Sequence, residues 1–227
     1  MGFARAGADL VIAARSVEEI AKVAAEAKGL GRRALAFETD VADLDSLDRL
    51  FEAVDGEFGR LDILVNCAGV NRRKPALEVL PEDWDYVHNV NLRGLFFASQ
   101  HALRLMKPEE YGRIINIASL ATFIGIKPLT IYSASKGGVG QLTKALALEF
   151  AATRVTINAI APGYIYTEMT KPVFEHPVRG PWVMSRIPAE RWGLPDDIAG
   201  AAVFLASPAA GYVTGQILAV DGGWLAG

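Results

Sequence analysis

A doubly wound α/β domain, with a parallel sheet covered by helices on both faces, is the fold class the sequence predicts. Three observations carry this. Six short apolar runs, at 9–14, 33–37, 62–65, 113–117, 155–160 and 217–220, are rich in Val, Ile and Leu and do not alternate with polar residues. Strands buried on both faces read in this way, whereas strands with one wet face alternate. Longer amphipathic stretches separate the runs, and strand–helix alternation builds parallel sheets through crossover helices. No linker, internal repeat or low-complexity tract interrupts the 227 residues, so a single domain over 1–227 is expected.

The elements follow in order. After the first run, the stretch 16–28 opens on Ser16 with Glu19 three residues later, the pattern of a capping box. The stretch 43–58 begins at Asp43, a good helix cap. The stretch 81–106 is long and is expected to contain a bend, and 132–152 and 195–206 complete the helices. The rhythm breaks at 163–192, where Pro172, Pro177, Pro181 and Pro188 stand among Tyr164, Tyr166, Phe174, Trp182 and Trp192. An irregular segment of that length in a compact domain is usually functional, and a lid is expected.

Composition narrows the partners. A formal net charge of −3, with acidic and basic residues interspersed, leaves no electrostatic footprint for nucleic acid. Cys67 is the only cysteine, so no intrachain disulfide can form, and a cytoplasmic location fits. No apolar run approaches the roughly 20 residues of a membrane helix. His88, His101 and His176 are scattered, and with Cys67 they make no metal site. The expected partner is a small molecule.

The sharpest chemical signal is Tyr132-Ser133-Ala134-Ser135-Lys136. Residues four apart share a helix face, so an ammonium would stand near a phenol that ordinarily titrates near pH 10. A neighbouring cation favours the phenolate and brings the group toward general acid/base range. The pair alone is weak, since chance surface pairs have the same spacing. Ser119, thirteen residues before Tyr132, ends the run 113–117. Asn66-Cys67-Ala68-Gly69 and Pro162-Gly163 follow two further runs, and ligands of open α/β sheets bind beyond the carboxyl ends of strands.

Taken together, Asn66-Cys67-Ala68-Gly69, Asn91 within Asn89-Val90-Asn91-Leu92, Ser119, Tyr132 with Lys136, Pro162-Gly163 and the ending Tyr212-Val213-Thr214-Gly215 with Asp221-Gly222-Gly223 resemble the short-chain dehydrogenase/reductases over nearly the whole chain. The spacings agree too: 28 residues from Asn91 to Ser119 and 13 from there to Tyr132. The resemblance implies a Rossmann-like fold and nicotinamide-dependent interconversion of an alcohol and a ketone. It implies that Tyr132 is the acid/base, that Lys136 lowers its pKa and holds the nicotinamide ribose, that Ser119 bonds the substrate oxygen, and that Asn91 holds a water. Asp40 and Val41 would contact the adenine. Asn66, Ala68, Gly69, Pro162, Gly163 and Ile165 would line the cofactor site, with Thr167 on the carboxamide. It also implies a homo-oligomer, a tetramer, paired through 81–106, 132–152 and the C-terminal strand, with the apolar tail Trp224-Leu225-Ala226-Gly227 at an interface.

Two departures stand out. Cys67 replaces an asparagine and is read as a small buried packing residue. The family's first strand and its glycine-rich turn, which cradles the pyrophosphate at a helix N-terminus, are not found, and the start at Met1 resembles the end of the following helix. The chain is thus expected to be N-terminally incomplete and to hold dinucleotide poorly. At the end of the first run stands Arg15 rather than an acid, which favours NADP over NAD, because arginine pairs with a 2′-phosphate. The stretches 69–75 and 186–193 look like those of gluconate 5-dehydrogenases and 2-deoxygluconate 3-dehydrogenases. A sugar-acid substrate is therefore expected, with Arg72 or Arg73 on its carboxylate. The alternatives are a reductase of 3-oxoacyl thioesters and a cofactor-impaired chain that keeps only the fold.

Overall fold

The computed structural model describes residues 1–107 and 110–227. A short helix α1 (Gly2–Arg5) leads into β1 (Leu10–Ala14), α2 (Val17–Gly29), β2 (Ala34–Glu38), α3 (Leu44–Phe58) and β3 (Ile63–Asn66). Next come α4 (Pro81–His88), a π-helical turn (Asn89–Gly94), α5 (Leu95–Leu105), β4 (Gly112–Ile117), α6 (Thr130–Glu149) and β5 (Val155–Pro162). Two short helices, α7 (Lys171–Phe174) and α8 (Arg179–Ser185), occupy the irregular segment before α9 (Pro195–Ala206) and β6 (Ile217–Val220). The six strands match the six apolar runs to within two residues at each end.

All strand pairings are parallel, but the sheet is divided. β1 pairs only with β2, and β3, β4, β5 and β6 form a second sheet in that order. The two parts share one interior. Val11 of β1, Phe37 of β2 and Leu64 of β3 pack against the same cluster of Leu47, Leu50 and Phe51 from α3 and Ala98 and Ala102 from α5. On the opposite face, α9 covers Ile115 and Ile160, and Phe3 of α1 joins that cluster beside Ile63 and Val65. β4 and β5 are sunk almost completely, whereas β1 and β3 stay half-exposed. Each of the latter has a hydrogen-bonded neighbour on one side only.

Local chemistry sets several boundaries. Asp43 caps α3 by accepting from the Asp45 N–H at 3.1 Å, and Gly59 ends it in the left-handed conformation at φ 65°. The capping box expected at Ser16 does not form. Ser16 is extended as a cap should be, but its side chain accepts no hydrogen bond. The bend expected in 81–106 is the π turn, in which one extra residue per turn widens the helix. Gly94, at its end, lies against the backbone beyond β2, where a Cβ would stand 2.3 Å from the Val41 oxygen. Neither partner is a flexible side-chain tip. Gly94→Ala should therefore cost roughly 1–3 kcal/mol through overpacking, read as a lower melting temperature in calorimetry. An unchanged Tm would show that the 40–43 turn yields freely.

Candidate active site

The carboxyl ends of β3, β4 and β5 and one face of α6 surround a cavity of about 500 Å³. Ser119 follows β4. It is extended, and its Oγ accepts from the Ala121 N–H at 3.1 Å, closing a 3-10 turn over Leu120–Thr122. Thr122 Oγ1 donates to the Lys136 carbonyl at 3.0 Å, so this turn is tied directly to α6. Tyr132 and Lys136, one helical turn apart, both reach the cavity. Pro162 and Gly163 close it from β5. A Cβ on Gly163 would lie 2.6 Å from the Asp221 Cα, so only glycine lets the end of β5 run this close to the chain beyond β6.

Lys136 is 4% exposed, and its Nζ donates to the Ile117 carbonyl at 2.6 Å. Among the described residues no carboxylate lines the cavity. Removing an ammonium from water without a counter-ion is costly, and burial lowers its pKa to about 8, with the Cys67 thiol opposing weakly. Burial also raises the Tyr132 phenol, against the pull of the Ser119 hydroxyl. The net shift of Tyr132 in the empty cavity thus runs opposite to the lowering by Lys136 expected from the sequence. Desolvation dominates, and the ammonium, 5.9 Å from the centre of the tyrosine ring, is turned to the Ile117 carbonyl.

Asn91 is fully buried in the π turn. Its Oδ1 accepts from the Val70 N–H at 2.8 Å, and its Nδ2 donates to the Val70 carbonyl at 2.9 Å and to Ser135 Oγ at 3.0 Å. Ser135 Oγ in turn donates to the Tyr132 carbonyl at 2.8 Å. Both amide donors are thus spent on protein rather than on a water, and they lock the loop after β3 against the helix of Tyr132. A second network joins strands. Asn66 Nδ2 donates to Ser99 Oγ at 3.0 Å and to Asn116 Oδ1 at 2.9 Å, and Asn116 Nδ2 donates to Thr143 Oγ1 at 2.9 Å. Asn66 therefore does not line the cavity.

The other positions singled out in the sequence divide. Gly69, Ile165 and Thr167 line the cavity with Pro162 and Gly163, and Ala68 is exposed beside it. The Thr167 N–H donates to Thr170 Oγ1 at 3.0 Å. Asp40 turns inward on its own loop, accepting from the Ala42 N–H at 2.9 Å, and Val41 supports Gly94; neither reaches the cavity. Arg15 is exposed at the end of β1 and has no ion-pair partner among the described residues. Cys67, expected to be buried, is instead exposed on the cavity wall, although the surrounding protein still pushes its thiol pKa up.

Arg72 and Arg73 point to different places. Arg72 lies 4.4 Å over the Tyr86 ring and 3.8 Å from Asp83, away from the cavity, because Asp83 gathers both Arg72 and Lys74. Arg73 lines the cavity, and so does Arg179 of α8, which no feature of the sequence singled out. Its only sequence signal is its place in the irregular segment.

The family model described as "Enoyl-(Acyl carrier protein) reductase" matches residues 1–225. The chain is 43% identical over 227 residues to 2-dehydro-3-deoxy-D-gluconate 5-dehydrogenase of Escherichia coli, covering all of this chain and 89% of that protein. The chain belongs to the short-chain dehydrogenase/reductase family. It is accordingly an oxidoreductase. This family member is also similar to the crystal structure of a gluconate 5-dehydrogenase from Burkholderia cenocepacia in complex with NADP and tartrate. There the TM-score is 0.94 at 37% identity, over 100% of this chain and 89% of that one. A 3-oxoacyl-(acyl-carrier-protein) reductase of Thermotoga maritima is 38% identical over 97% of this chain and 89% of its own length.

The buried lysine of this short-chain dehydrogenase/reductase carries a measurable cost. Its folded pKa of about 8 lies below its ordinary value of 10.5, so the penalty of burying the cation is complete below pH 8 and fades as the pH rises toward 10.5. Lys136→Met should therefore be more stable than the parent at pH 7, by an amount on the order of 1–3 kcal/mol, and this advantage should shrink between pH 8 and 10.5. Parallel denaturation curves across that window would check it. A difference that does not change with pH would show that the ammonium is not desolvated.

Proposed function

We propose that this oxidoreductase interconverts a secondary alcohol and a ketone on a sugar acid of the gluconate/5-ketogluconate kind, with NADP as the hydride carrier. One observation carries this reading. Among the described residues, the cavity holding Ser119 and Tyr132 is lined by three basic side chains, Lys136, Arg73 and Arg179, and by no carboxylate. A neutral ketone has no use for that charge, whereas a sugar acid does. The names of the Escherichia coli and Burkholderia cenocepacia relatives support the same substrate class.

In this reading Tyr132 exchanges the proton with the substrate oxygen, and Ser119 holds that oxygen by a hydrogen bond. A protonated Lys136 electrostatically assists the phenolate of Tyr132 when the substrate alcohol is oxidised. Asn91 keeps the loop of Gly69 in place against α6. The residues fit the nicotinamide half of a dinucleotide. Lys136 has one protein acceptor for three N–H donors, which leaves it donors for ribose hydroxyls. Gly69 and Gly163 let backbone form the wall, and Ile165 and Thr167 stand beside them. NADP supplies or takes up the hydride when bound. Arg15, exposed and without an ion-pair partner among the described residues, suits the 2′-phosphate, while Asp40 and Val41, outside this cavity, would serve the adenine side and Ala68 the cavity's edge. NAD is the alternative.

The segment 163–192 is proposed as a lid. α7 and α8 contribute Val173 and Val183 to a small apolar cluster with Leu120 and Trp224. Trp224 is 7% exposed, so packing within the protomer accounts for that residue without an interface. A tetramer remains the proposed assembly. Its support is the exposure of Trp84 on α4, Leu148 on α6 and Leu218 on β6. A cytoplasmic location is proposed with it, and among the described residues no helix is long and apolar enough to cross a membrane. A second reading, reduction of a 3-oxoacyl thioester, has support in the apolar wall of Leu129, Met169 and Val173 and in the Thermotoga maritima relative.

Tyr132→Phe removes only the titrating oxygen, so NADP-coupled oxidation of gluconate should fall by roughly 10²–10⁴ in kcat with the fold unchanged. Comparable kcat for variant and parent would sink the assignment. In a parent that oxidises neither gluconate nor 2-deoxygluconate but reduces 3-oxoacyl thioesters, the second reading would hold. Arg15→Asp should lower the ratio of kcat/KM for NADP over NAD by roughly ten- to a hundredfold, the worth of a charge-assisted pair. A constant ratio would show that Arg15 does not read the phosphate.

A further inference from the structure

Arg73 and Arg179 reach the same cavity from unrelated parts of the chain. Arg73 stands on the loop beyond β3, and Arg179 is the first residue of α8, within the segment 163–192. Arg179 is half-buried, and its one hydrogen bond goes to the Lys127 carbonyl at 3.3 Å, in the loop that leads into α6 and Tyr132. Arg73 has no ion-pair partner and no side-chain hydrogen bond among the described residues, whereas its neighbours Arg72 and Lys74 are both engaged by Asp83. Both guanidiniums therefore line the one cavity without a carboxylate partner among the described residues. Burial lowers the Arg73 pKa, and the Arg179 charge lowers it further, so the two cations are close enough to repel.

We infer that Arg73 and Arg179 form a clamp for the substrate carboxylate, and that its arrival closes the segment carrying Arg179 over Tyr132 and Ser119. This rests on the sugar-acid reading above and adds a specificity determinant and a closing signal to it. Repulsion between the two guanidiniums disfavours their approach in the empty cavity. A carboxylate between them reverses the sign of the interaction and offers oxygen atoms to both forks. Because Arg179 is anchored to the loop before α6, the same movement presses the lid toward the helix that carries the phenol. The substrate would thus be registered at its acid end before its hydroxyl meets Tyr132. Neutral analogues would lack the closing signal as well as the contact.

Calorimetric titration of the full chain with gluconate and with gluconamide, its neutral amide counterpart, tests the clamp. The parent should prefer gluconate, and Arg179→Gln and Arg73→Gln should each reduce that preference by roughly ten- to a hundredfold. Their Tm values should stay near the parent's, because neither side chain supports the core. Gluconate should also slow proteolytic cleavage within 163–192 in the parent and not in Arg179→Gln. An Arg179→Gln preference equal to the parent's would overturn the clamp and leave the sugar-acid reading standing. Loss of NADP affinity with gluconate affinity retained would assign Arg179 to the cofactor and overturn it as well. A parent that binds neutral ketones and does not distinguish gluconate from gluconamide would bring down both readings. Cleavage in the parent that ignores gluconate would overturn the closing role.

Discussion

Asn91 lies wholly out of water in a π turn and spends both amide N–H groups and its oxygen on two other parts of the chain, the Val70 backbone and Ser135. The geometry of the site depends on this knot. An amide buried without partners would cost on the order of 1–3 kcal/mol per unmet group, so the network is worth forming only if the loop after β3, the π turn and α6 all stand in one relation. The loop that carries Gly69 and Arg73 is thereby held against the helix that carries Tyr132 and Lys136. The π turn is where the buried Asn91 carboxamide stands. Gly94, pressed against the Val41 carbonyl, makes the turn fit under the end of β2.

A second constraint is electrostatic. The cavity gathers basic groups around a phenol and offers them no carboxylate among the described residues, so charge is expensive in the empty protein: Lys136 is lowered to about 8, Arg73 is held below its ordinary value, and the Tyr132 phenol is raised. A site that is uncomfortable when empty and favourable when an anion enters binds by removing its own cost. Stability is here traded for a preorganised positive field. The apolar clusters on the two faces of β4 and β5 supply the rigidity that keeps these groups in place.

The six strands and the main helices were legible in the sequence because burial on both faces writes unbroken apolar runs, and crossover helices write amphipathic ones. Ser119, Tyr132 and Lys136 were legible as neighbours, since strand ends and one helical turn place them with little dependence on the rest of the chain. Asn66 was misplaced because a strand-end asparagine reads the same whether it faces a ligand or Ser99 and Asn116. Arg72 and Arg73 could not be told apart. They are adjacent, and only the position of Asp83 on α4, which draws Arg72 and Lys74 away, decides which one faces the cavity.

The sequence by itself determined the fold class, the strand positions and the residue types of a phenol–ammonium pair one helical turn apart, with a serine at the end of a central strand. These are local consequences of periodicity and spacing. The tertiary structure alone decided where charges point and what burial does to them. It turned the Lys136 ammonium to the Ile117 carbonyl, raised rather than lowered the Tyr132 phenol, exposed Cys67, buried Trp224 and brought Arg179 to the same cavity as Arg73. It also divided the sheet between β1 and β3. Desolvation and charge–charge terms depend on distances between residues remote in the chain, and no local pattern encodes those distances.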